Sequence, residues 1–257
     1  MITLPSGQQL AGLEGGPAVA LSPDGTRLAY VASQDGIQQL YLRPMDELEA
    51  RPVLGTEGAV SPFFSPDSQW VGFFASAKLK KISVSGGAAV TLGDAANPSG
   101  ASWGSQGTIA FAPNRSNNLQ LVTEGGGDPR PLTHLEKGEN TQRWPELLPD
   151  STAMLFAAGT AAGQVTDLRI AVQPIGTGER RDIIPGGTNA RYAPSGHLIY
   201  VQGGSLMAVP FDPRRLEVKG TAVPVVEGVL YSPRSAAAQY SFSATGSLVY
   251  VPGGVQS

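Results

Sequence analysis

The sequence predicts an all-β fold, a six-bladed β-propeller of four-stranded antiparallel blades, and three observations predict it. A hairpin turn of the Pro-Asp-Gly kind recurs six times at spacings of 39 to 50 residues, the period of a propeller blade. Each copy is flanked by the same alternation of apolar positions, the mark of strands. The two ends of the chain also read as complementary halves of one repeat.

The turn is clearest in Ala20-Leu21-Ser22-Pro23-Asp24-Gly25-Thr26-Arg27-Leu28-Ala29-Tyr30-Val31. Proline fixes φ for the second position of a type I turn, Asp suits the third, and Gly accepts the left-handed residue that follows. It returns at Ser65-Pro66-Asp67-Ser68, Leu148-Pro149-Asp150-Ser151 and Ala193-Pro194-Ser195-Gly196, and in altered form at Gly104-Ser105-Gln106-Gly107 and Ser243-Ala244-Thr245-Gly246. Two residues before each turn's proline position stands a large apolar side chain, Leu21, Phe64, Trp103, Leu147, Tyr192 or Phe242, expected to pack between blades. After each turn comes an aliphatic-x-aromatic strand ending in Tyr30, Phe73, Phe111, Phe156, Tyr200 or Tyr250.

A third apolar run follows in five repeats, around Leu40-Tyr41-Leu42, Leu79–Val84, Leu119–Val122, Leu168–Val172 and Leu206–Val209. A fourth, more polar run follows at Arg51–Leu54, Ala89–Leu92, Arg130–Leu132, Arg181–Ile184 and Val223–Val226. Most of these carry proline, which cannot donate to a ladder and so suits the outer edge of a blade. The sixth repeat stops after two strands, while Ile2–Leu10 matches Ile82–Val90 at a constant offset, as strands three and four would. The expectation is one propeller over 1–257, with blades at about 17–58, 59–97, 98–140, 141–187 and 188–228. The sixth would be assembled from 229–257 plus 1–16, its pairing closing the ring and hiding open edges.

Composition agrees with a turn-rich β protein. Glycine (33) and proline (21) make up about a fifth of the chain, against a usual sum of roughly 12 %, and are spread evenly. Charged residues are 15 % and the net charge is -3, which gives no basic field for a phosphate backbone and argues against nucleic acid as a partner. Cysteine is absent, which removes disulfides and thiolate metal sites. No apolar run approaches the length of a spanning helix and no leader pattern opens the chain, so direct membrane insertion is not expected.

Motifs for catalysis are weak. Gly86-Gly87, Gly125-Gly126-Gly127 and Gly176-Thr177-Gly178 fall between strands three and four and read as hairpin turns, since no Lys-Ser/Thr pair and helix follow. His134 and His197 lie in different repeats without ligand spacing, so neither a metal nor any other cofactor is expected. No Gly-x-Ser-x-Gly elbow occurs. Glu146 with Glu139 or Glu57 are the carboxylates that a channel-based hydrolase or lyase would use. The junctions leading into the first strands of the fourth and fifth repeats hold Asn140, Arg143, Trp144, Asn189 and Arg191. In a propeller such junctions converge on one mouth of the central channel, where Arg and Trp suit binding.

The Ser-Pro-Asp-Gly turns followed by aliphatic-x-aromatic strands resemble the TolB-like, WD-type propeller repeats of bacteria, over nearly the whole chain. More narrowly, Ala20–Leu28, Phe63–Asp67, Trp103-Gly104, Arg143-Trp144-Pro145 and Gly196–Tyr200 look like the propeller C-terminal to the kinase domain of certain bacterial membrane serine/threonine kinases. That resemblance implies a sensor or scaffold propeller outside the cytoplasm. His-Arg-Asp, Asp-Phe-Gly and Val-Ala-Ile-Lys are all missing, so kinase activity is not carried over. The expected function is therefore a non-catalytic, monomeric module that binds a protein or peptide at one channel mouth through Arg143, Trp144, Arg191, Asn140 and Asn189. The alternative is a glycan or small-molecule hydrolase or lyase with carboxylates on the axis.

Overall fold

A computed structural model of the chain describes residues 2–162, 164–176 and 179–253; of residues 161, 162 and 164–166 only the backbone is described. Thr177 and Gly178 of the expected Gly-Thr-Gly turn, and residues 254–257, lie outside the described residues. The architecture is all-β, a propeller of antiparallel blades, each with the innermost strand first in sequence and the outermost last. Blade 1 is built on Val19–Leu21, Arg27–Gln34, Ile37–Pro44 and Arg51–Pro52; blade 2 on Val60–Phe64, Trp70–Ala75, Lys78–Ser83 and Val90–Asp94. Blade 3 comprises Ala101–Trp103, Thr108–Phe111, Gln120–Thr123 and Arg130–Pro131; blade 4 comprises Thr141–Leu147, Ala153–Ala162, Gln164–Pro174 and Arg181–Pro185. Blade 5 has Thr188–Ala193, His197–Gln202 and Ser205–Asp212, on which Val223–Val226 and Glu217–Val218 both pair.

The large apolar residues before the turns are the mortar between blades. Phe64 packs on Ala18, Val31 and Leu40 of blade 1; Leu147 packs on Ala110 and Leu121 of blade 3. Trp103 meets Phe74 and Leu79 of blade 2, and Tyr192 meets Leu155 and Val172 of blade 4. Each apolar cluster thus joins neighbouring blades rather than filling one sheet. Burial of such side chains at about 25 cal/mol per Å2 is the main force holding the ring.

The turns are stitched together as well. Asp24 N donates to Ser68 Oγ of the next blade at 3.2 Å, and Ser105 N donates to Ser151 Oγ at 2.9 Å. Ser68 and Ser151 stand where blade 1 has Gly25, at φ of 61° and 55°. They accept left-handed strain at those turns because the hydroxyl serves a neighbour's backbone N–H.

The ring has five blades and not six. The sixth repeat contributes the hairpin Tyr240–Phe242 with Leu248–Tyr250, which stays two-stranded between blades 5 and 1. Phe242 packs on Val201 and Leu206 of blade 5, and Leu21 N donates to Ser241 Oγ at 2.9 Å. The N-terminal segment does not complete it. Gln9–Leu10 pairs instead with Ala32 and Ser33 of blade 1. Gln8 decides this: it is buried and accepts from Tyr30 Oη at 2.8 Å, whereas the matching residue of blade 2, Ala88, is exposed and has no polar side chain to be drawn in. The ends still share one apolar cluster, with Leu4 and Leu10 from one end and Val249 and Val251 from the other packed against the buried residues around Leu21, Leu28 and Tyr30.

Candidate functional site

The innermost strands of blades 2 to 5 each carry one residue in the left-handed region within or just before the strand, Ser61, Gly100, Trp144 and Asn189, at φ of 51°, 95°, 53° and 51°. All four stand three positions before the large apolar residue of the repeat. In blades 2, 4 and 5 the ladder slips register there, between Val60 and Phe63, Arg143 and Glu146, and Thr188 and Arg191. Such a bulge bends the strand and re-aims the side chains that follow. The position just before each large apolar residue then forms one level of the channel wall, occupied in turn by Ala20, Phe63, Ser102, Glu146, Arg191 and Ser241.

That level has two sides. Ser102, Glu146, Arg191 and Ser241 make a polar arc across four neighbouring strands. Arg191 Nε lies 3.5 Å from Glu146 Oε1, and Arg191 Nη1 donates to Ser241 Oγ at 3.0 Å. Ser102 hydrogen-bonds Glu146, while its Oγ also accepts Leu147 N at 2.9 Å. The Arg191 guanidinium lies 4.9 Å from the centroid of Phe242, so its rim is held by a cation–π contact while its fork stays within the channel. Burial pushes the Glu146 carboxyl above the usual carboxylate range, with Arg191 and the Ser102 hydroxyl pulling the other way. Ala20 and Phe63 make the opposite side apolar, and Trp103, Tyr192 and Phe242 add aromatic surface above.

The channel encloses about 500 Å3 and is closed at the end where the innermost strands begin. Trp144 closes it. The indole is buried, its Nε1 donates to Ser235 O at 3.2 Å, and its backbone N donates to Ser99 O at 2.8 Å. Its ring occupies space that only glycine leaves: a Cβ on Gly100 would stand 2.5 Å from it, and one on Gly16 3.3 Å. Ser61 Oγ, on the same floor, is buried with no hydrogen-bond partner. At the other end Pro66, Pro149, Pro194 and Ala244 of the hairpin turns are exposed and rim the opening.

The residues singled out from the sequence are distributed as follows. Trp144, Asn189 and Arg191 line the channel. Asn189 is buried and structural in its bonding: its Oδ1 accepts Ala238 N at 2.7 Å and its carbonyl accepts Tyr240 Oη. Arg143 is 1 % exposed and points away from the channel lining, with Nη1 on Ser235 O at 2.9 Å. Asn140 is exposed and is not among the residues lining the channel. Of the three carboxylates considered, Glu146 alone lines the channel among the described residues. Glu139 is paired with Arg169 and Arg180, and Glu57 accepts from Gly55 N in a rim loop. His134 is exposed and His197 shares its ring nitrogen with Ser195. Among the described residues no three His, Cys, Asp or Glu side chains gather in metal-binding geometry.

Sequence reasoning passed over Ser102, Ser241 and Phe63. Their signal was available, since each directly precedes the repeated large apolar residue.

Comparison with solved structures finds the same kind of fold. TolB from Acinetobacter baumannii superposes with a TM-score of 0.63 at 16 % identity, over 87 % of this chain and 56 % of that one. The chain thus spans little more than half of that protein. TolB from Agrobacterium tumefaciens gives 0.61 at 16 % identity, over 92 % and 90 % of the two chains. The fold is that of the TolB-like propellers. A nidogen/laminin complex (0.61, 14 % identity, 83 % and 82 % covered) and an oligogalacturonate lyase from Vibrio parahaemolyticus (0.55, 12 %, 94 % and 86 %) share it. Propellers with this fold therefore include both a partner in a protein complex and an enzyme, and fold alone does not choose between them. No protein-family model matches the chain, and no curated protein does.

Proposed function

We propose that the protein is a non-catalytic binding module that takes an extended peptide segment, carrying a carboxylate, into the channel from the turn side. The observation that carries this reading is Arg191: a guanidinium fork on the polar side of a one-ended channel whose other side is apolar and aromatic. Arginine matches a carboxylate with two parallel N–H bonds. Phe63, Trp103 and Phe242 supply the stacking and apolar surface on which peptide side chains gain affinity. A C-terminal or acidic residue would compete with Glu146 for Arg191, whose distance of 3.5 Å from the Glu146 carboxylate is that of an ion pair without a close hydrogen bond. A protein partner of this kind is in keeping with the nidogen/laminin neighbour, and with the resemblance to sensor propellers of bacterial membrane kinases. A glycosidase-like reading would need a second carboxylate beside Glu146, and the described channel wall supplies none.

The test is fluorescence polarisation with a library of short peptides synthesised in pairs, with free and amidated C-termini. Peptides that bind only with a free or side-chain carboxylate, and lose at least about tenfold in affinity to Arg191→Ala, support the reading. Binding indifferent to both changes would overturn it.

A further inference from the structure

Two arginines on the face opposite the channel opening stand without a counter-ion. Thr141, at the start of the innermost strand of blade 4, joins them: its hydroxyl donates to Arg115 O at 2.6 Å and accepts Arg143 Nε at 2.7 Å. Arg143 Nη1 donates to Ser235 O at 2.9 Å. Neither acceptor is charged. Arg143 is 1 % exposed, and Arg115 Nε is buried without a hydrogen-bond partner. Neither arginine takes part in any ion pair among the described residues.

The same blade shows how a buried guanidinium is normally accommodated. Arg180, with 4 % of its side chain exposed, meets Glu139 at 2.7 Å and Asp182 at 2.8 Å, and its pKa is raised despite burial. Arg143 has the same burial and the opposite electrostatics. Its pKa is pushed down to about 10, by burial first and by the Arg115 charge second. A desolvated cation near a second cation is costly unless an anion is added, and Thr141 ties Arg143 Nε to the backbone of Arg115.

We infer that Arg115 and Arg143 form an oxyanion site, taking a carboxylate or phosphate group between their guanidinium forks, distinct from the channel. Trp144 separates the two: Arg143 precedes it on the far side of the floor, and Arg115 belongs to the loop after Thr108–Phe111 at the same end. Arg115 is part-exposed and its neighbours Asn114, Ser116 and Asn117 are exposed, which gives an anion a route in. The carbonyls of Arg115 and Ser235 fix the positions of Thr141 and Arg143, so the Arg143 guanidinium is held in place, and an anion would order the Arg115 side chain against it.

Isothermal titration with inorganic phosphate, at ionic strength held constant with chloride, tests the site. Arg143 is buried, so Arg115→Gln is the informative variant, with far-UV circular dichroism checking the fold. The wild type should show saturable binding that Arg115→Gln weakens at least about tenfold, and that Arg115→Lys restores in part by keeping charge without the fork. Repeating the titrations in the Arg191→Ala background removes the channel arginine as a second anion site, and the Arg115-dependent binding should persist there. Acetate in a parallel titration separates the sources, saturation by acetate marking a carboxylate site and saturation by phosphate alone a phosphate site. No saturable binding of either anion, or equal binding by Arg115→Gln, would overturn the inference.

Discussion

Replacing Trp144 by alanine removes the floor of the channel, and its cost can be worked from the contacts. Large aromatic to alanine changes in cores cost about 3–5 kcal/mol, part transfer of apolar surface and part the cavity left behind. Here the cavity part is reduced, because the hole joins a channel already open at the turn side. The lost indole bond to Ser235 O adds about 1 kcal/mol. The expected net loss is about 3 kcal/mol. Backbone strain supplies a sharper contrast. Trp144 sits at φ 53°, where a Cβ costs about 1–2 kcal/mol, more than glycine's entropy penalty of about 0.5–1 kcal/mol. Trp144→Gly should therefore be no less stable than Trp144→Ala, the reverse of the usual order. Urea unfolding followed by circular dichroism, with the m-value checked for constancy, measures both. A loss below about 1 kcal/mol for alanine, or a glycine variant worse by more than that, would refute the description of Trp144 as a buried plug on a left-handed bulge.

Three further outcomes are expected. Arg143→Ala should lower stability by at least about 2 kcal/mol, because Thr141 and Ser235 lose a buried donor, whereas Arg191→Ala, part-exposed and paired with one carboxylate, should change it by less than about 1 kcal/mol; thermal melts of both decide. Ser151→Ala leaves Ser105 N without its acceptor and keeps the left-handed strain, costing about 1–2 kcal/mol, while Ser151→Gly recovers part of the loss. Glu146 has a folded pKa above its unfolded one, so stability should fall as pH rises from the ordinary glutamate range through the raised value, and binding of a carboxylate peptide should tighten as pH falls through the same window. A pH-independent affinity, or a slope that persists in Glu146→Gln, would remove Glu146 from the account.

Much of the blade was legible because its determinants are local. Pro23, Asp24 and Gly25 dictate a turn by their own φ preferences, and Leu21, Phe64 and Trp103 announce the inter-blade seams by position. The closure of the ring was not legible, since it depends on a competition between two distant edges. Residues 2–10 carry the alternation of strands three and four, yet Gln8 finds a buried partner in Tyr30 that the pattern of apolar residues does not encode. The site was read in part. Arg191 and Trp144 stood out as large side chains near a junction, but the left-handed bulges at Ser61 and Trp144 are carried by residues with no special tendency toward positive φ, and only Asn189 among the non-glycine bulge residues is of a type that visits that region readily. Those bulges decide that Arg191 lies in the channel and Arg143 on the far side of its floor.

The three tryptophans allow a direct test of where the ligand sits. Trp103 and Trp144 line the channel, whereas Trp70 lies on the seam of blade 2 under Lys81, whose Nζ is 4.5 Å from its ring. In a 15N-labelled sample, titration with the tightest free-carboxylate peptide should shift the indole N–H resonances of Trp103 and Trp144 and leave that of Trp70 in place. A bound peptide that shifts Trp70 alone, or none of the three, would contradict binding in the channel.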